Sequence, residues 1–173
     1  MPASLYYKST KMRQDATSSY YWRRYERGDK GWCDVIVSLT ILGKPVGKER
    51  PRVTKNGTYT PKKTKDYAKK TGWAYKEKYG GSISFEPKKK IYMGMLVFFA
   101  NDTRPDLNNV ERLVTDALEK VAYDNDKVVA CSYKDYDYDE ENPRVEIVLS
   151  DERFVDRSLF RYYFDYEQHQ LQD

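Results

Sequence analysis

Histidine is nearly missing from this chain, with only His169 among 173 residues, and cysteine is limited to Cys33 and Cys131. A multi-histidine metal centre, a four-thiolate zinc site and a disulfide framework are therefore excluded, and both cysteines read as small buried hydrophobes. No run of about eighteen apolar residues is present. The longest candidate, Ile91 to Ala100, is interrupted by Gly94 and has the length of a strand. Residues 1–31 have basic residues but neither an apolar core nor a small-residue cleavage site, which predicts a soluble, cytoplasmic protein without a secretory signal or membrane segment. Also missing are a glycine-rich phosphate loop, a dinucleotide fingerprint and a nucleophile paired with histidine. Small-molecule enzymes of those kinds, and small-molecule cofactors, lose their support.

Charge is abundant but unevenly placed. The chain has a net +4, yet residues 1–42 hold +3, residues 43–100 hold +11 and residues 101–173 hold −10. A basic stretch followed by an acidic one suits a surface that grips a polyanion while carboxylates elsewhere hold cations. The plainer alternative is an acidic, tyrosine-rich tail that tunes solubility.

Three regions are expected: an N-terminal extension over 1–31, a folded domain over 32–150 and a C-terminal extension over 151–173. The first contains Tyr20, Tyr21, Trp22, Arg23, Arg24 and Tyr25, a mixture of rings and cations suited to nucleic acid, to a partner or to packing on the domain. The domain opens with a strand over 33–42, with Val35, Val37, Leu39 and Ile41 on one face. Asn56 and Gly57 mark a hairpin turn. Thr60 and Pro61 read as the N-cap and first residue of a helix that runs to about Tyr79 and stops at Gly80 and Gly81. Trp73 on that helix is expected in the core, and Tyr59 before it either in the core, the favoured reading, or stacked on nucleic-acid bases. The continuous apolar run KKKIYMGMLVFFA predicts a central strand covered on both faces.

The clearest periodicity lies in PDLNNVERLVTDALEKV, where Val110, Leu113, Val114, Ala117, Leu118 and Val121 make one helical face. Pro105 keeps Arg104 extended, Asn108 or Asn109 caps the helix, and Asp106 stands exposed in the turn before it. A strand that begins with Val128 to Cys131 then forms a hairpin with Val145, Ile147 and Leu149 across an acidic loop, DYDYDEENP. The final residues, rich in Phe and Tyr, suit an amphipathic helix or an interface. Asp106 and Asp126 stand at either end of the periodic helix and its exit turn. Hard divalent cations take such carboxylate oxygens and promote phosphodiester cleavage. The cations Lys48, Arg50, Arg52, Lys55, Lys62, Lys63 and Lys65 would hold a DNA backbone, or else form an ordinary solvated face.

Two segments resemble one family. GKERPRVTKNGTYTPKKTKDYAK is similar to the basic segment of RusA-type Holliday junction resolvases, which phages and prophages often encode. PDLNNVERLVTDALEKVAYDNDKVV resembles their signature, a PD-x-DN element opening a helix that an acidic turn follows. The resemblance spans about residues 35–150. It implies a small α/β (α+β) fold with helices packed on a mixed sheet, a homodimer, and magnesium-dependent paired nicking of four-way DNA junctions. It also implies that Asp106 and Asp126 are acidic ligands and that Arg112 is the catalytic helix cation, usually lysine. The second essential aspartate of the family, also a metal ligand, falls on Asn108. An amide there lacks the negative charge. Cleavage would then rely on other acids such as Asp102, Glu111 or Asp116, or be lost, through an Asp-to-Asn exchange or in a chain that only binds branched DNA or a partner. Asp116 reads more simply as the helix ion-pair partner of Arg112.

Overall fold

The computed structural model describes residues 25–26, 32–33, 36–55, 57–81, 85, 87–151, 153 and 156–170. Most of the expected N-terminal extension, including Tyr20 to Arg24, lies outside the described residues, as do Val35 and Asn56. Two short strands, β1 (Tyr25–Glu26) and β2 (Trp32–Cys33), pair with each other. The main sheet has four strands: β3 (Ile36–Leu42), β6 (Ile91–Phe99), β7 (Val129–Tyr138) and β8 (Arg144–Ser150). Between β3 and β6 come the hairpin β4 (Arg52–Thr54) and β5 (Gly57–Tyr59) and the helix α1 (Lys62–Tyr79). Helix α2 (Leu107–Leu118) and a 3-10 turn (Asp126–Val128) join β6 to β7, and helix α3 (Arg157–Gln170) follows β8.

The sheet order is β3-β8-β6-β7, with β6 and β7 parallel and the other pairs antiparallel. The α+β architecture agrees with the resemblance. The expected hairpin between β7 and β8 is corrected: β8 pairs with β3 and β6, and the turn over 139–143 carries the chain across the end of β6. That crossing is pinned by Asp139 N donating to Phe99 O at 2.9 Å and by Arg144 donating to Asp139 at 2.7 Å. Residues 135–138 of the expected acidic loop are also strand rather than loop. Asp135 and Asp137 face Arg157 of α3, while Tyr136 packs against Phe99 on the opposite side.

As its apolar run predicts, β6 is central and covered on both faces. Met93, Met95, Val97 and Phe99 join the core beneath α1 and α2, and Leu96 and Phe98 join a second core beneath α3. The α2 stripe buries Val110, Leu113, Val114 and Leu118. In α1 the buried positions are Thr64, Tyr67, Thr71, Gly72 and Tyr75. Trp73 lies off that stripe and is 70% exposed, and Tyr59 on the hairpin is also exposed, so neither is a core residue. Helix α1 begins one residue later than expected, with Pro61 in the cap position, and ends on Gly80 at φ +72°, a left-handed conformation that glycine adopts without strain. At Gly72 α1 packs on α2 with room for a small side chain, since a Cβ there would make ordinary contact with Ala117 O at 3.6 Å.

The other face is closed by Phe160, Tyr163 and Phe164 of α3, packed on Ile36, Leu96, Phe98 and Val148. Residues of the expected C-terminal extension therefore complete the sheet's second layer. Glu146 is held there by Arg144 Nε at 2.7 Å and Arg161 Nη1 at 2.6 Å. Among the described residues no helix is long and apolar enough to cross a membrane.

Candidate functional site

The turn before α2 is built by Asp106. Its backbone is extended and its Oδ1 accepts from Asn108 N at 2.7 Å and Asn109 N at 3.3 Å, satisfying two amides that the first helical turn leaves unpaired. The cap is thus Asp106, and Asn108 and Asn109 are the residues it caps. Asn108 lies on the exposed side of the first turn, and Arg112 follows it, exposed.

The basic segment is tied to this turn. Lys48 N donates to Asn109 O at 2.8 Å, and a Cβ on Gly47 would lie 3.0 Å from Pro105 Cβ and 3.1 Å from Asn109 Cβ. A side chain at 47 would push the loop from the helix. Lys48 also forms an ion pair with Asp116, which makes Lys48, rather than Arg112, the partner of that carboxylate. From this anchor the chain runs through exposed Arg50, Arg52 and Lys55 into α1, where Lys62, Lys63 and Lys65 are exposed. Two of these cations have acidic neighbours: Arg52 lies 3.4 Å from Glu49, and Lys62 lies 2.6 Å from Asp66. An open cleft of about 440 Å³ between the loop and α1 is lined by Val46, Lys62, Lys63, Asp66, Tyr67 and Lys70. The Lys48 end of the cationic set therefore borders the α2 turn, and the cleft joins the loop to the Lys62 and Lys63 end on α1.

Lys134 also reaches this turn, although the sequence reading passes over it. Its Nζ donates to Asn108 Oδ1 at 2.5 Å and to Glu111 Oε2 at 2.6 Å. Burial works against the charge, but the hydrogen bond and charge of Glu111 outweigh it and hold the ammonium above its ordinary pKa. A β-bulge explains its position. Met93 pairs with Cys131 and Gly94 with Tyr133, leaving Ser132 as an extra residue. Simple alternation from Cys131 would turn Lys134 toward α3; the extra residue turns it toward α2 instead. Beside Lys134, Arg104 stacks on Tyr136 with its guanidinium 3.9 Å from the ring centre. Cys131, half-buried under Glu111, has its thiol pushed up to about 11, chiefly by burial.

Asp126 stands elsewhere. It opens the 3-10 turn that leads into β7, where Asn125 Oδ1 accepts from Lys127 N at 3.0 Å. Buried Tyr123 beside it donates to Thr115 O at 2.7 Å and is held protonated by burial first and by Asp126 second. Asp106 and Asp126 thus mark opposite ends of α2, whose twelve residues rise about 18 Å. The structure brings Asp106, Asn108, Glu111 and Lys134 together, and it leaves Asp126 apart.

The match to known families follows this layout. Residues 43–150, more than half of the chain, match the family model described as Endodeoxyribonuclease RusA. The chain belongs to the RusA family. No curated protein matches it. The matched residues run from the loop before the hairpin to the end of β8, so they include the basic segment, the α2 turn, the bulge and Asp126, and stop short of α3.

RusA-family nucleases generally depend on a divalent metal. The residues of this chain do not by themselves fit such an ion. One oxygen of Asp106 is spent on the helix cap, those of Asn108 and Glu111 accept from Lys134, and Asp126 is a helix length away. Among the described residues no group of three or more His, Cys, Asp or Glu is arranged to hold a metal.

Proposed function

We propose that this RusA-family chain is a Holliday junction resolvase scaffold that binds four-way DNA junctions as a two-fold dimer. The supporting observation is the hydrogen bond from Lys48 N to Asn109 O, which ties the cationic segment to the turn carrying Asp106 and Asn108. Arg50, Lys55, Lys63 and Lys65 hold phosphates, with Lys48, Arg52 and Lys62 joining once DNA competes for their carboxylate partners. Arg112 faces the charge that develops on the phosphate. A two-fold protein suits the near two-fold symmetry of the junction and delivers one site to each of two opposed strands. Magnesium is the expected cofactor. Because Asp106 and Asp126 lie at opposite ends of α2, one ion held by both calls for two copies, each lending one aspartate.

Asn108 in place of an acid, with an ammonium on its amide oxygen, favours a second reading: a chain that binds branched DNA without cutting it. Cleavage of an end-labelled four-way junction in magnesium separates the two. The resolvase reading predicts symmetric nicks from Asn108→Asp that vanish when Asp106→Asn is added. Nicking of one strand per junction returns when Asn108→Asp chains carrying Asp106→Asn are mixed with Asn108→Asp chains carrying Asp126→Asn, because one of the two shared sites is then intact. Tight junction binding by every variant with no nick from any would overturn the resolvase reading in favour of the second. The phage setting and cytoplasmic location remain part of this proposal.

A further inference from the structure

The solvent face of α1 carries an indole that a purely cationic grip on DNA does not require. Thr64, Tyr67, Thr71 and Tyr75 turn one side of this helix into the core. On the opposite side Lys62, Asp66, Lys69, Trp73 and Lys76 follow one another at alternating four- and three-residue steps, so they form a single exposed column. From Lys62 to Lys76 the column rises about 21 Å. Asp66 is taken by Lys62 at 2.6 Å. Trp73 stands with Lys69 one turn before it and Lys76 one turn after, the Lys76 ammonium lying 6.0 Å from its ring centre. Beside the column runs the cleft that Lys62, Lys63, Asp66 and Lys70 share with Val46, which connects it to the loop anchored on the α2 turn.

We propose that this face of α1 is a single-strand site, on which Trp73 stacks an unpaired DNA base while Lys69 and Lys76 hold the phosphates on either side of it. The inference rests on reading the basic segment as a DNA surface, and it adds a place for unpaired bases beside the duplex arms. An indole that is 70% exposed presents a large apolar plane to water, and its setting decides what can cover it. The apolar core of a protein partner would have to strip water from the flanking ammoniums, and lysine is depleted from such cores. A nucleic-acid strand satisfies both chemistries at once, with phosphates on the lysines and a base face on the ring. Charge favours it as well, since α1 carries seven lysines against Asp66 and Glu77. Within a duplex each base face is covered by its neighbours, so the indole can reach only a base that has left the stack.

The experiment is an anisotropy titration of the full chain with labelled oligo-dT and with a labelled duplex of the same length, across a salt series without divalent metal. The proteins are the unaltered chain, Trp73→Phe, Trp73→Leu, Trp73→Ala, and Lys69→Gln with Lys76→Gln. Because Trp73 lies outside the core, its variants should keep the urea transition of the unaltered chain. Trp73→Ala and Trp73→Leu are expected to weaken oligo-dT binding about tenfold, the loss of one stacked base, while Trp73→Phe keeps most of the affinity and duplex binding does not change. The logarithmic salt slope should stay the same in Trp73→Ala and flatten by about 1.4 in the double lysine variant, from roughly 0.7 per contact on a single strand. Equal oligo-dT affinity in Trp73→Ala and the unaltered chain, Trp73→Leu binding as well as Trp73→Phe, an equal loss on duplex, or no oligo-dT binding at all would overturn the inference. So would a changed oligomeric state in Trp73→Ala with oligo-dT affinity intact, which would assign the indole to a protein contact. Gel shifts with a four-way junction keep the two proposals apart. Preferential junction binding with no Trp73 effect on oligo-dT overturns only the single-strand site. A Trp73-dependent grip on oligo-dT with no preference for the junction over duplex overturns only the resolvase reading.

Discussion

The two faces of the sheet each carry a cation–carboxylate cluster, and the clusters differ in how firmly they are closed. Beneath α3, the Glu146 side chain is 6% exposed and each of its oxygens accepts from a guanidinium, Arg144 on one side and Arg161 on the other. Those guanidinium groups also lie over Phe98, at 3.7 and 5.6 Å from the ring centre. Beneath α2, Glu111 is 23% exposed and shares a single flexible ammonium with Asn108. A planar fork packed on an aromatic ring is pre-organised, whereas a lysine at a helix edge can exchange its partner. The first cluster fastens α3 to the sheet. The second is partly solvated and held by one side chain alone.

The largest break in that comparison removes the closed layer. Ending the chain before Arg157 would uncover Ile36, Leu96, Phe98 and Val148, and the protein should lose its cooperative urea transition; a milder version, Phe160→Ala, should cost about 3–5 kcal/mol. Next comes Glu146→Ala, which leaves Arg144 and Arg161 facing each other without their shared acid. Urea unfolding should show a loss of about 3–5 kcal/mol, as expected when one partner of a buried ion group is removed. On the open face the effects are smaller. Asp106→Ala should cost about 1 kcal/mol through the lost helix cap, and Lys134→Met less than about 1 kcal/mol because its ion pair is partly solvated. A Lys134→Met loss as large as that of Glu146→Ala would erase the contrast between the two clusters.

The faces should also respond to opposite ends of the pH scale, in the smallest of these effects. Asp137 and Asp139 are held below the usual carboxylate range, first by hydrogen bonds from Arg157 and Arg144 respectively. Their contribution is present above the unfolded carboxylate range and fades as pH falls through the lowered folded values. Lys134 is shifted the other way, so its contribution is complete below 10.5 and fades as pH rises through the raised folded value. Urea midpoints measured against pH should show the acid-side loss shrinking in Arg157→Gln and the alkaline-side loss shrinking in Lys134→Met.

Much of this layout is legible in the residues. The α2 stripe, the doubly covered β6 and the order of the basic and acidic segments follow from periodicity and charge, and the family match rests on the same stretches. Lys134 escaped because a two-residue alternation cannot register the extra Ser132, which moves every later side chain of β7 to the other face. Trp73 misled through its size: the helical stripe through Thr64, Tyr67, Thr71 and Tyr75 leaves position 73 outside. The expected β7–β8 hairpin failed because adjacency in sequence suggested direct pairing, whereas β8 slots between β3 and β6. Asp106 and Asp126 were placed at the two ends of the helix and its exit turn, which is where they stand; the resemblance that pairs them as ligands carries no distance between those ends.

The most direct test of the account is binding of the unaltered chain to a four-way junction and to a linear duplex of the same sequence, across a salt series without divalent metal. If about six phosphates are neutralised by the segment beside α2, junction affinity should fall with a logarithmic salt slope near −5 and exceed duplex affinity at every salt concentration. Equal affinity for junction and duplex, or a slope near zero, would contradict the claim that this surface recognises branched DNA.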